Sequence, residues 1–221
     1  MTDVMDPAHF AAMRHAMVAS QLRTSGVNDP RVIEAMASVP REDFVPGEWR
    51  SLAYRDTGVP LPGGRRLNAP LATGRLLTEA TLAPTDTVLL IGAAGGYTAA
   101  VVARLVAKVV AVEADPTLAE ATRVALAGTP GVTVVEAPLN AGAPEHAPYD
   151  VLVIDGAVEA IPDTLAEQVA SGGRLVAGLV DRGVTRLGAG RRTSGGFRLV
   201  DFADVDCAIL PGFARPKSFT F

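Results

Sequence analysis

The chain has 221 residues, with 20 Lys and Arg against 24 Asp and Glu, for a formal net charge of −4. Apolar residues make up 48% and charged residues 20%, the balance of a chain that buries a core and not of one that stays disordered. The acidic balance speaks against a protein whose main work is gripping nucleic-acid phosphates, and the one cysteine, Cys207, excludes an internal disulfide and any multi-cysteine metal site.

The first stretch, from Pro7 to about residue 50, reads as helical. Phe10, Met13, Met17 and Leu22 recur near one face, and Gly26 is placed to stop the helix. Asp29-Pro30 reads as an N-cap followed by Pro at the first helical position, opening a helix over 31–38 that stops before Pro40. Residues 54–70 (YRDTGVPLPGGRRLNAP) carry the turn chemistry of a loop. The segment is long for a connection in a compact domain, and so is a candidate functional loop.

From residue 74 the pattern alternates. A short helix is expected over 75–82, then an apolar strand over 87–91 that runs into Gly92-Ala93-Ala94-Gly95-Gly96. A helix over 98–106 and a second strand over 109–112, ending at Glu113, come next. Asp115-Pro116 caps a helix to about residue 127, and strands are expected over 132–135 and 149–154, the latter ending at Asp155. A helix over 162–170 is expected to break at Gly172-Gly173, before a fifth strand over 174–179. Nearly all-apolar strands alternating with helices predict an α/β fold with a mostly parallel sheet covered on both faces. Beyond residue 180, strands over 185–187, 197–202 and 204–210, joined by GAGRRTSGG, read as an antiparallel edge, and the phenylalanine-bearing tail as packing against the body. The expected organisation is a single domain over 1–221: N-terminal helices and a substrate-side loop over 1–70, a parallel core over 71–180 and antiparallel C-terminal strands over 181–221. No run approaches the ~20 apolar residues that span a bilayer, and the acidic N-terminus does not read as a secretory signal, so no membrane and a cytoplasmic location are expected.

Strand, glycine turn, helix and a second strand ending in an acid together make the part of the chain that carries chemistry. Ligands of open α/β sheets bind at the carboxyl ends of the strands, and the helix after the turn would offer N–H groups to them. Glu113 lies 113 − 92 = 21 residues past Gly92, where a carboxylate can accept both hydroxyls of a ribose. G-A-A-G-G is not the dinucleotide fingerprint, and no P-loop G-K-[ST] follows, so a nicotinamide dehydrogenase is the least favoured nucleotide enzyme. The plain alternatives are a tight turn without a ligand and a solvated loop acid. Three histidines leave little for a metal centre, and none is expected. The adjacent Arg65 and Arg66 could hold an anionic group, or be simply solvated. Cys207 reads as a small packing hydrophobe.

Six segments in order resemble the protein-L-isoaspartate O-methyltransferase family: VPREDFVP (39–46), AYRDTGVPLPGG (53–64), LIGAAGGYTAAVVARL (90–105), EHAPYDVLVIDGA (145–157), AIPDTLAEQV (160–169) and SGGRLV (171–176). The resemblance implies the Rossmann-like S-adenosylmethionine-dependent methyltransferase sheet, seven strands with one antiparallel. It implies transfer of the methyl group of S-adenosyl-L-methionine to the free carboxylate of isoaspartate in a damaged protein or peptide, a protein-repair reaction. It also implies the site. Gly92, Ala93, Ala94, Gly95, Gly96, Tyr97, Glu113, Ala114 and Asp155 would bind the cofactor, Arg66, Asn68 and Pro70 the substrate, and Asn68 would be catalytic. Three departures stand out. Leu90 replaces an acid before the first glycine. Ala137-Pro138-Leu139 replaces a Gly-Asp-Gly whose acid would accept from the adenine amino group. Arg66-Leu67-Asn68-Ala69-Pro70 replaces Thr-Ile-Ser-Gln-Pro, so that Asn68 stands for a hydroxyl. These leave open a family member that binds without catalysing, and one with another methyl acceptor.

Overall fold

The computed structural model describes residues 6–193 and 196–215. Helix α1 (Pro7–Met17) is capped by the Asp6 side chain and continues as tighter and wider turns to Ser25, where Gly26 takes the left-handed conformation at φ 86°. Helix α2 (Pro30–Ser38) starts as expected, with Asp29 accepting from Arg31 N–H. The 54–70 loop contains a two-residue antiparallel pair, β1 (Val59–Pro60) and β2 (Arg66–Leu67). Helix α3 spans Pro70–Glu79, five residues earlier at its start than the apolar periodicity suggests, because Pro70 supplies a preset φ at the first helical position.

The core then alternates as read: β3 (Thr87–Ile91), α4 (Tyr97–Val102), β4 (Lys108–Glu113), α5 (Pro116–Ala125), β5 (Val132–Glu136), β6 (Tyr149–Val158), α6 (Asp163–Ala166), β7 (Val169–Asp181), β8 (Val184–Thr193) and β9 (Gly196–Ala203). Seven strands form one sheet in the order β5-β4-β3-β6-β7-β8-β9. The first five are parallel, and β8 runs antiparallel to both its neighbours. Side chains alternate between two apolar layers. Val88, Leu90, Val109, Ala111, Val151 and Val153 face the layer that α1, α2 and α3 pack against, while Leu89, Ile91, Val110, Val112, Leu152 and Ile154 face the other.

The structure corrects four expectations. The helix over 162–170 is only α6, four residues long, since Val169 and Ala170 already belong to β7. Gly172-Gly173 therefore lies within β7, in a register shift against β6. The GAGRRT part of the supposed linker lies in β8. Residues 204–210 form no strand, and only one bridge, Ala157 to Ile209, ties them to the sheet. In the tail, Leu210 and Phe213 are buried in the second layer, while Phe219 and Phe221 lie outside the described residues.

Candidate functional site

The carboxyl ends of β4, β3 and β6 lie side by side, with β3 in the middle. The glycine turn follows β3. Gly92, Gly95 and Gly96 have φ values of 87°, 86° and 104°, a region open to glycine at no steric cost. Ala94 sits there too, at φ 47°, an uncommon conformation for a residue with a Cβ. The N–H groups of Gly92 and Ala93 donate to Val112 O (3.0 and 3.1 Å), and Ala94 N–H donates to Glu113 Oε2 at 2.9 Å. The turn is thus sewn to the end of β4.

Glu113 is fully buried. Its Oε1 accepts from Ala114 N–H at 2.9 Å, from Asp115 N–H at 3.1 Å and from Arg65 Nη1. Asp115 caps α5 by accepting from Thr117 and Leu118 N–H, and packs closely against Gly63 of the loop that delivers Arg65. Arg65 is itself buried, and its Nη2 has no hydrogen-bond partner among the described residues. A buried donor left unpaired costs about 1–3 kcal/mol.

Asp155 sits at a second bulge in β6. Ile154 pairs with Ala177 and Ala157 with Gly178, so Asp155 and Gly156 are extra residues, and such a bulge re-aims a side chain. Its Oδ1 accepts from Asn68 Nδ2 and from Thr73 Oγ1, both at 3.0 Å, and its Oδ2 from Thr98 Oγ1. Asn68 Oδ1 in turn accepts from Ala208 N–H at 2.9 Å. A Cβ on Gly156 would lie 2.6 Å from Leu210 Cγ and 2.7 Å from Ala208 O, so the tail can approach this closely only because position 156 is glycine. Arg41, from the VPREDFVP segment, is fully buried beneath this cluster. It donates to Ala53 O at 2.7 Å and to Asn68 O, and its guanidinium lies 4.5 Å from the Tyr97 ring centroid. Burial lowers the Arg41 pKa, with Tyr97 and Asp155 opposing the shift.

The candidate residues therefore fall into two groups. Gly92–Gly96, Glu113 and the Ala114 backbone form one, and Asn68 with Asp155 the other, with β3 between them. Tyr97 belongs to neither, since its ring turns into the N-terminal layer between Arg41 and Phe44. Pro70 is buried at the start of α3 and acts on the chain's direction. Arg66 is exposed and donates to Gly58 O at 2.9 Å, on the wall of a cleft of about 330 Å³ that Asn68, Ala69 and the 206–209 segment also line. Helix α4 has six residues and follows the turn directly, with Gly96 at its N-cap. Thr73, Thr98 and Arg41 were not singled out from the sequence. The sequence offered no separate signal for Arg41, which is followed directly by Glu42 and Asp43.

These residues fit a nucleoside with one change. A buried carboxylate at the end of β4, beside a turn with three left-handed glycines, suits a pair of ribose hydroxyls, and Arg65 Nη1 already donates to that carboxylate. Leu90 is fully buried in the apolar layer. Pro138 is exposed in a turn closed by Ala141 N–H to Pro138 O at 2.9 Å.

The model of the Protein-L-isoaspartate(D-aspartate) O-methyltransferase family matches residues 13–198. The protein-L-isoaspartate O-methyltransferase of Roseiflexus castenholzii is 40% identical over 206 residues, 92% of this chain and 94% of that one. Among solved structures, the Plasmodium falciparum β-aspartate methyltransferase in complex with S-adenosyl-L-homocysteine superposes with a TM-score of 0.73 at 17% identity, over 89% of this chain and 96% of that one. A second protein-L-isoaspartate O-methyltransferase gives 0.72 at 22% identity over 90% of this chain, which spans 65% of that longer one. At these identities the structural likeness concerns the fold.

Proposed function

The chain belongs to the protein-L-isoaspartate(D-aspartate) O-methyltransferase family, and from that premise we propose that it methylates the free carboxylate of isoaspartyl residues in proteins or peptides, with S-adenosyl-L-methionine as donor. When bound, the donor supplies an electrophilic sulfonium methyl group that a carboxylate oxygen attacks as the sulfur leaves as a neutral thioether.

The acceptor, with an ordinary carboxylate pKa near ~4, is ionised at neutral pH, so no general base is required. This chain's residues have positioning and desolvation to do. Glu113, held by three backbone N–H groups, is the acceptor for ribose hydroxyls. Asn68 is held by Asp155 and Ala208 N–H at the edge of the acceptor cleft, so its amide is fixed before the acceptor arrives. Arg66, exposed on the same cleft wall, supplies the charge that attracts an anionic acceptor. The single observation that carries this reading is the Asn68–Asp155 bond beside the glycine turn, with Arg66 on the same loop.

Incubation with an isoaspartyl peptide and methyl-labelled donor tests it. Label in a base-labile ester of that peptide, and none in its normal aspartyl counterpart, is the expected result. Label in neither peptide overturns the acceptor assignment. A second reading, a member that binds partners without transferring methyl groups, is favoured by the Arg65–Glu113 pair and by Leu90 and Pro138 in place of acids. It predicts no binding of S-adenosylhomocysteine at about 1 mM, a concentration at which even a very weak specific site fills.

A further inference from the structure

The Glu113 carboxylate already has four donors, three on Oε1 and one on Oε2. Three of the donors are backbone N–H groups, of Ala94, Ala114 and Asp115, and belong to the frame of the site. The fourth, Arg65, arrives from a segment 48 residues earlier in the chain and is the only one on a movable side chain. Its grip is one-armed. Nη1 meets Glu113, while Nη2 is buried without a partner among the described residues. The fork of an arginine matches a carboxylate best when both arms donate, so this grip is the weaker one. Arg65 is delivered by Gly63 and Gly64, two successive residues at φ 66° and 72°, and a side chain added at Gly64 would meet nothing within 4 Å. At Gly63 a Cβ would lie 2.5 Å from Asp115 Oδ2, and the Arg65 backbone is held by its N–H to Pro62 O at 3.2 Å and by Leu61 N–H to its carbonyl at 2.9 Å, so it is the Arg65 side chain that can move.

We propose that Arg65 is a latch on the nucleoside site: it occupies Glu113 when the site is empty, and a ligand bearing vicinal ribose hydroxyls must displace it. The inference rests on the proposed reading of Glu113 as the ribose acceptor. The latched form binds no nucleoside, so apparent affinity is reduced by the fraction of molecules whose latch is open. Release of Arg65 precedes binding, so opening limits association at high ligand concentration.

Calorimetric titration of S-adenosylhomocysteine into the parent chain and into Arg65→Gln tests the first consequence. Stopped-flow mixing of the parent with the same ligand, followed by intrinsic fluorescence, tests the second. The variant is expected to bind about 10-fold tighter or more, the gain from a competitor that holds the parent site in about nine molecules of ten. The parent's observed rate is expected to level off as ligand rises. Equal affinities, or a rate that climbs linearly, overturn the latch and leave the cofactor site standing. Absence of binding to both chains overturns the cofactor site and the latch together. If Arg65→Gln does not fold, the shape of the parent's rate curve decides alone.

Discussion

Asn68 Nδ2 lies 3.0 Å from Asp155 Oδ1, joining residues 87 positions apart in the chain. The other half of the same amide accepts from Ala208 N–H. One side chain thus ties the long loop to the bulge of β6 and to the segment that follows β9. Asn68→Ala leaves a backbone N–H without its acceptor and Asp155 with two hydroxyl donors. It is expected to lose about 1–3 kcal/mol of stability, since a buried group loses its partner. For a chain of this size that is a fall of roughly 2–10 °C in the unfolding midpoint by calorimetry. Methyl transfer to an isoaspartyl peptide is expected to fall by about 5- to 150-fold in kcat/KM if the same energy is lost in the transition state. A midpoint within 1 °C of the parent's would show that the bond does no structural work.

Pro138 is exposed, and by the family resemblance it would stand where an acid accepts from the adenine amino group. Pro138→Asp puts a carboxylate there without disturbing a core. A charge-assisted hydrogen bond to the adenine amino group is expected to tighten S-adenosylhomocysteine binding by about 10-fold in calorimetry. Unchanged affinity would mean that the adenine is held elsewhere.

Cys207 is buried, and burial pushes its thiol up to about 12 from an ordinary value of 9.0, with Asp155 and Asp206 adding to the shift. The folded chain keeps the proton where the unfolded chain releases it, so stability is present below pH 9 and declines as pH rises toward 12. Between pH 8.5 and 10 the loss from this group is about 1 kcal/mol. Cys207→Ala should flatten the fall of the unfolding midpoint over that interval. Tyr54 and Tyr149, also raised by burial, act at higher pH. A thiol-specific reagent at pH 8 should leave the folded parent unmodified and label it in denaturant.

The two-residue connection between β7 and β8 consists of Arg182 at φ 49° and Gly183 at φ 82°. Positive φ at both positions is the geometry of a hairpin turn that favours Asn-Gly. Arg182→Asn is expected to raise stability by about 0.5–1 kcal/mol, or roughly 1–4 °C, because the short Asn amide can hydrogen-bond the local backbone and so tolerates the left-handed region better. A lower midpoint would contradict the turn assignment.

The parallel core was legible because its signals are local. Thr87–Ile91 is a continuous apolar run bounded by a turn and by glycine, and the strand takes those limits. Asp29-Pro30 and Asp115-Pro116 each cap a helix as their chemistry dictates. Residues 162–170 misled for the opposite reason. Their helical periodicity is outcompeted by pairing with β6, which draws Val169 into β7. The position of Glu113 at the end of β4 could be read from spacing, whereas Asp155, expected at a strand end, lies at a bulge inside β6, which continues to Val158. The partners of neither could be read so, since the pairing of Arg65 with Glu113 and of Thr73 with Asp155 depends on how the loop and α3 fold back over 48 and 82 residues.

Arg65 and Asn68 are three positions apart, yet one reaches the end of β4 and the other the bulge of β6, with β3 in between. Two strand spacings amount to about 9.5 Å, close to what three steps of extended chain cover. The long Arg65 side chain and the shorter Asn68 one add to that reach, so the segment serves both ends without being stretched. One four-residue piece of loop thus supplies a side chain to each of the two groups, and a change in its backbone course would reach both.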